Sequence, residues 1–201
     1  MTDDREPEWL DAIRNRVAQT PPPHRDPKLA DGLRRAAVLV LLIDSADGPK
    51  VLLTQRAGTL TNYPGAFVFP GGTAEPNDTT PIETALREAS EEAGLDPTRV
   101  RIIGTLPALE LPETGFVVTP VIGWSTELDV GHLDPAEVAA VVELPLHDFD
   151  HGSVRVQHSP ATDTSGSRFI VDGTTVGDMT SLVIDALLNR YSGPPARSDR
   201  L

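Results

Sequence analysis

Residues 80–94 carry a beginning, an end and an inward face for one helix, and that stretch constrains the rest of the chain. Thr80 is a capping residue, Pro81 suits the first helical position, and Glu83 completes a capping box. Gly94 supplies a left-handed stop. At helical spacing Ile82, Ala85, Leu86, Ala89 and Ala93 share one face, as a buried stripe does. Opposite that stripe, Glu88, Glu91 and Glu92 fall within an arc of roughly 100°. Each like-charge pair at such spacing costs about 0.2–0.5 kcal/mol on an exposed helix. The cluster is therefore either a solvated acidic face or a site for hard cations, which take carboxylates, carbonyls and water. Just upstream, Phe69-Pro70-Gly71-Gly72 reads as a loop whose glycines permit close backbone approach and whose carbonyls can add oxygen ligands. By themselves these residues support a divalent-metal site and nothing more specific.

Around this helix the pattern is strand-rich. Residues 8–18 space Trp9, Leu10, Ile13 and Val17 as a helix does, and the proline-rich stretch 20–27 ends it. Strands are expected at 36–43, 51–54 and 66–69, then at 100–106, 116–122 and 138–144, with weaker ones at 154–157 and 168–171. A closing helix is expected over 179–191, with Met179, Leu182, Val183, Ala186 and Leu187 inward. This order predicts an α/β domain with a mixed sheet. The expected division is an N-terminal helix and connector at 1–33, one domain at 34–191 and a flexible tail at 192–201.

A net charge of −13 and a pI near 4.7 argue against a protein that grips nucleic acid or a membrane surface through basic patches. An anionic substrate stays within reach if bound cations invert the local field. No cysteine is present, which excludes disulfides, thiolate metal sites and cysteine nucleophiles. The opening residues are polar and acidic, and no apolar run reaches the length of a membrane span; a soluble cytoplasmic protein is the expectation. His24, His132, His147, His151 and His158 show no ligand spacing, and Ser90 lacks a nucleophile-elbow context. Neither a Walker loop nor a G-x-G-x-x-G fingerprint occurs.

Arg87-Glu88-Ala89-Ser90-Glu91-Glu92-Ala93-Gly94-Leu95 resembles the second half of the Nudix box, G-x5-E-x7-R-E-U-x-E-E-x-G-U, where U is a bulky aliphatic residue. Ala89 is small for U, Gly72 lies one residue further from Arg87 than the pattern asks, and Asp78 stands at the upstream acid. Over residues 34–190 the resemblance implies a Nudix α/β/α sandwich with a loop-helix-loop catalytic box, hydrolysing a diphosphate bond with Mg²⁺ or Mn²⁺. It implies that Glu88, Glu91 and Glu92 hold the metals, that the backbone at Gly71 or Gly72 adds a ligand, and that Arg87 orients the carboxylates. Glu137 matches a late acid that some members use as a further ligand or base, with Glu110 and Glu113 as rivals; each is otherwise a surface acid. Homodimers are common in the family, and the N-terminal helix offers a face for one.

Leu52-Leu53-Thr54-Gln55-Arg56-Ala57, Gly65 and Phe69-Pro70-Gly71-Gly72 resemble the signature of the coenzyme A diphosphatase branch, as does 114–120. Thr61 stands where that branch has a second arginine, so one phosphate-binding charge is missing. The resemblance implies cleavage of coenzyme A or its derivatives to 3′,5′-ADP and 4′-phosphopantetheine, with Arg56 on a substrate phosphate. The alternatives are another Nudix substrate, such as ADP-ribose, NADH or a nucleotide, or a binding module without catalysis.

Overall fold

A strand that is apolar at every position from Ala36 to Ile43 has to be covered on both faces, and in this structure it is. The structure, a computed structural model, describes residues 6–20, 32–149, 155–158 and 167–188. Strand β1 (Arg34–Ile43) runs parallel to β7 (Phe116–Ser125) along its whole length, from Arg34 opposite Phe116 to Ile43 opposite Ser125. On its other side β1 pairs antiparallel with β2 (Lys50–Arg56) at one end and with β4 (Gly71–Thr73) at the other. The short β3 (Phe67–Val68) and β8 (Val138–Pro145) pair with β2, while β5 (Arg101–Thr105) and β6 (Leu109–Leu111) pair with β7. These strands make one mixed sheet of eight. A second, three-stranded antiparallel sheet holds β9 (Arg155–His158), β10 (Ser167–Val171) and β11 (Thr174–Thr175).

Alternation along β1 sends Val38, Val40 and Leu42 to one face and Ala37, Leu39, Leu41 and Ile43 to the other. The first face packs on Ile13 of α1 (Trp9–Gln19), on Val183, Ile184 and Leu187 of α3 (Asp178–Leu187), and on Phe67, Phe149 and Phe169. Phe149 and Phe169 meet edge to face with centroids 5.0 Å apart. The second face packs on Ala85, Ala89 and Ala93 of α2 (Pro81–Ala93). Alanines there let the helix axis approach the sheet closely, so a larger side chain at Ala89 overpacks the contact, at about 1–3 kcal/mol. The α/β/α layering that the resemblance implies is therefore the one observed.

Several details differ. Gly71–Thr73, read as loop, is a strand, because β1 supplies its ladder partners in spite of the weak strand propensity of glycine. Strands β6 and β11 were not expected. On α3 the buried positions are Thr180, Ser181, Val183, Ile184, Asp185 and Leu187, with Met179, Leu182 and Ala186 only partly covered. The apolar face of α1, expected to be available for a second copy, is used within the chain. Leu10 and Ile13 are buried, Trp9 Nε1 donates to Asp44 Oδ1 at 3.1 Å, and Arg16 donates to the Leu187 carbonyl at the end of α3. Most of the proline-rich connector and all of the tail lie outside the described residues. Among the described residues no helix is long and apolar enough to cross a membrane.

Candidate active site

The helix signals of the sequence are all in use. Thr80 Oγ1 accepts from the Glu83 N–H at 3.2 Å, the Glu83 carboxylate accepts from the Thr80 N–H at 3.1 Å, and Gly94 sits at φ 62°. Beyond the stop, Gly94 packs directly on Gly131, where a β-carbon on Gly131 would lie 2.9 Å from the Gly94 carbonyl oxygen. The Asp134 N–H donates to the Glu92 carbonyl at 3.3 Å. The segment 131–134 is thereby held against the end of α2, which sets where Glu137 emerges at the start of β8.

Glu92 is buried at 6% exposure, and its Oε2 accepts from the Gly71 N–H at 3.1 Å. Burial pushes its carboxyl up to about 8. The Gly71 N–H opposes that shift, the charges of Glu88 and Glu137 add to it, and Arg56 opposes it. Glu88 lies against Gly72, where a β-carbon would fall 2.5 Å from Glu88 Oε1. Its carboxyl is also raised, first by burial; Arg87 acts against the shift, and Glu91 and Glu137 act with it. Gly71 is constrained too, since a side chain there would run into the Ala37 carbonyl and Val38.

Arg87 is the hub on the other flank. Its guanidinium donates to Asp78 Oδ2 and the Thr73 carbonyl at 3.0 Å, to Glu88 Oε1 at 3.1 Å and to Glu91 Oε2 at 2.9 Å. Those bonds hold the Asp78 carboxyl down at about 2. Asp78, noted in the sequence only as a displaced box acid, is thus the anchor of Arg87.

The three glutamates expected together lie in different surroundings. On the helix, Glu91 lies 100° from Glu92 and toward Arg87, which takes its carboxylate; its side chain is 58% exposed against 15% for Glu88. Among the described residues no three carboxylate or imidazole groups converge on one metal position as they stand. Glu88 and Glu92 instead flank Gly71–Gly72, and Glu137 lies close enough to act on both by charge. All the donors are hard oxygens, and a carboxyl whose charge burial disfavours is ionised by a dication placed beside it. These oxygen donors fit a hard divalent cation.

Arg56 ends β2. Its backbone pairs with Ala66 and Gly65, its Nε donates to the Asn62 carbonyl at 3.0 Å, and the next residue, Ala57, donates to the Glu137 carbonyl at 2.8 Å. Arg56 therefore lies between Glu137 and the loop 58–65, within electrostatic reach of Glu92. Thr61 is exposed on that loop. Glu110 lies on β6 and lines a separate cavity of about 750 Å³ with Arg35, Thr73, Asp78 and Thr119, to which Glu88, Glu92, Arg56 and Glu137 do not contribute. Glu113 is exposed in the turn before β7. His132 is exposed and His147 pairs with Asp148 at 3.4 Å, whereas His24 and His151 lie outside the described residues. Ser90 uses its carbonyl to accept from Gly94.

A family model described as NUDIX domain matches residues 33–164. The chain is 40% identical over 138 residues to an uncharacterized Nudix hydrolase NudL of Photorhabdus laumondii, covering 69% of this chain and 72% of that protein. It is 44% identical over 115 residues to the protein of the same name from Pectobacterium atrosepticum, and there spans 59% of the relative's length. Among solved structures, the NUDIX domain of Shewanella oneidensis NrtR, crystallised with ADP ribose, superposes with a TM-score of 0.53 at 18% identity. That likeness covers 83% of this chain and 94% of the other.

Proposed function

From a chain that belongs to the Nudix family and is a Nudix hydrolase, we propose hydrolysis of the diphosphate bond of a nucleoside-diphosphate-linked metabolite. Coenzyme A or its derivatives are the foremost substrates, giving 3′,5′-ADP and 4′-phosphopantetheine. The observation that carries the reading is Glu92, buried beside Gly71–Gly72 with Glu88 adjacent and Glu137 and Arg56 facing it. Burial makes ionising this carboxyl expensive unless a cation sits beside it.

Glu88 and Glu92, with Glu137 and the backbone at Gly72, are the residues that would hold Mg²⁺ or Mn²⁺, and Glu91 joins them only by leaving Arg87. When bound, such a cation neutralises the diphosphate and lowers the pKa of water. The chain's own contributions are distinct from that. Arg87 holds Glu88 and Glu91 in orientation and is itself held by Asp78. Arg56 meets a substrate phosphate. Gly71 and Gly72 leave room for the diphosphate to approach the backbone. A carboxylate of the cluster takes a proton from the attacking water.

The upstream signature from Leu52 to Gly72 supports coenzyme A. The exposed Thr61, which brings no charge to the loop beside Arg56, favours the second reading of a different Nudix substrate, such as ADP-ribose, NADH or a nucleotide. A substrate panel with Mg²⁺ or Mn²⁺ and product identification by mass separates these readings. Release of 3′,5′-ADP and 4′-phosphopantetheine from coenzyme A at the highest kcat/KM is the expected result. Faster cleavage of another member of the panel removes the coenzyme A assignment, and binding without turnover under any metal removes the enzymatic one.

A further inference from the structure

Tyr63 combines two features that a structural residue avoids. Its side chain is 48% exposed, and it is the exposed large hydrophobic residue among those described. Its backbone lies at φ 53°, a left-handed conformation disfavoured for a bulky side chain. The following residue is Pro64, which further restricts the position to extended backbone. The surroundings enforce the conformation. Ala66 N–H closes a turn on the Tyr63 carbonyl at 3.2 Å, with Gly65 at φ 73°. Gln55 Nε2 donates to the Gly65 carbonyl at 3.2 Å, and Arg56 Nε holds the Asn62 carbonyl at 3.0 Å. Strain that the neighbours over-determine is a ground for a functional hypothesis.

Position decides what the function is. Tyr63 follows Asn62, whose carbonyl accepts from Arg56 Nε. Arg56 acts by charge on Glu92 while the next residue, Ala57, donates to the Glu137 carbonyl, so the loop is tied to the side of the site that the proposed reaction uses. A nucleotide with its diphosphate between Arg56 and Glu92 would still have its base to place, and this loop is the one bonded to Arg56. Thr61 offers no charge here, and the planar, uncharged face of Tyr63 is the recognition element that the loop does present. We infer that Tyr63 stacks on the purine base of the substrate and sets the preference for a nucleotide half over other diphosphates. This rests on the diphosphate-hydrolase reading and adds the group that selects the base.

The test measures binding of ADP and of ribose 5-phosphate, which lacks the base, to the full chain and to Tyr63→Phe and Tyr63→Ala, by calorimetry with Mg²⁺. Stacking on an aromatic side chain is worth enough that its removal weakens binding about tenfold or more. Tyr63→Phe is expected to bind ADP like the parent, Tyr63→Ala about tenfold more weakly, and all three to bind ribose 5-phosphate alike. Unchanged ADP affinity in Tyr63→Ala overturns the inference, as does an equal loss for both ligands or no ADP binding by the parent. Steady-state kinetics on coenzyme A separate the two layers. If the parent turns it over and Tyr63→Ala raises KM with kcat held, both stand. If the parent does not turn it over while ADP binding still depends on Tyr63, the substrate assignment fails and the stacking role stands.

Discussion

Glu92→Gln keeps the shape of the side chain and removes its ionisation, so it isolates what burial does to that one group. With the carboxyl pushed up to about 8 from an ordinary 4.5, the folded protein keeps a proton that the unfolded chain gives up. Stability that is fully present below the unfolded value is then lost as pH rises toward the folded one, and the curve is flat above it. At about 1.4 kcal/mol per pH unit, the metal-free protein loses roughly 2.5 kcal/mol between pH 5.5 and 7.5 from this group. The Gln variant lacks that loss. Glu88, shifted the same way, leaves a residual slope in both proteins. Urea unfolding in EDTA at the two pH values measures the difference; with a denaturant slope near ~2 kcal/mol per molar, it is a midpoint change of about 1 M. Wild type is expected to weaken by that amount relative to the variant. Parallel pH profiles would falsify the claim that Glu92 is held protonated by burial.

Gly72→Ala places a β-carbon 2.5 Å from Glu88 Oε1 without straining the backbone; the expected result is an unchanged circular dichroism spectrum with metal-stimulated turnover reduced at least tenfold. Asp78→Asn removes the negative charge and one of the two oxygens that accept from Arg87, and outer partners of this kind are worth about 10–100-fold in metal affinity or activity; kinetics over a Mn²⁺ series should show that loss, and activity equal to wild type at low Mn²⁺ would count against it. Thr61→Arg adds a cation to the loop beside Arg56 and is expected to lower KM for coenzyme A several-fold, an effect that salt weakens. An unchanged KM at low salt places position 61 away from the substrate phosphates.

The parts of the site that were legible in the sequence are those written in local signals. Thr80, Pro81, Glu83 and Gly94 bound α2 because capping acts within four residues, and the run from Ala36 to Ile43 reads as a strand because it is short and rich in β-branched and aliphatic residues. The α/β/α layering comes from the family resemblance, and the element order by itself gives only an α/β domain with a mixed sheet. The fate of Glu91 was not legible: its spacing from Glu88 and Glu92 fits one cluster, yet Arg87, anchored by Asp78 and Thr73, competes for it across the loop. Neither was the strand at Gly71–Thr73, whose stability comes from β1 rather than from its own residues. The nearness of Glu137 to Glu88 and Glu92 depends on Gly94 meeting Gly131, a contact between two residues that carry no pattern. Tyr63 carries no local signal, because its left-handed backbone is imposed by bonds to the loop from Arg56, Gln55 and Ala66. In each case a long-range bond, invisible to periodicity, decides where a short-range signal points.

Glu88 and Glu92 are held to be a cation site, and Mn²⁺ binding followed by the free-ion electron paramagnetic resonance signal tests that most directly. Chelator-stripped wild type titrated at pH 7.5 is expected to bind at least one ion below millimolar free Mn²⁺. Glu92→Gln is expected to bind at least tenfold more weakly, although folded. Equal binding by the two proteins, or none by wild type at millimolar Mn²⁺, contradicts the assignment.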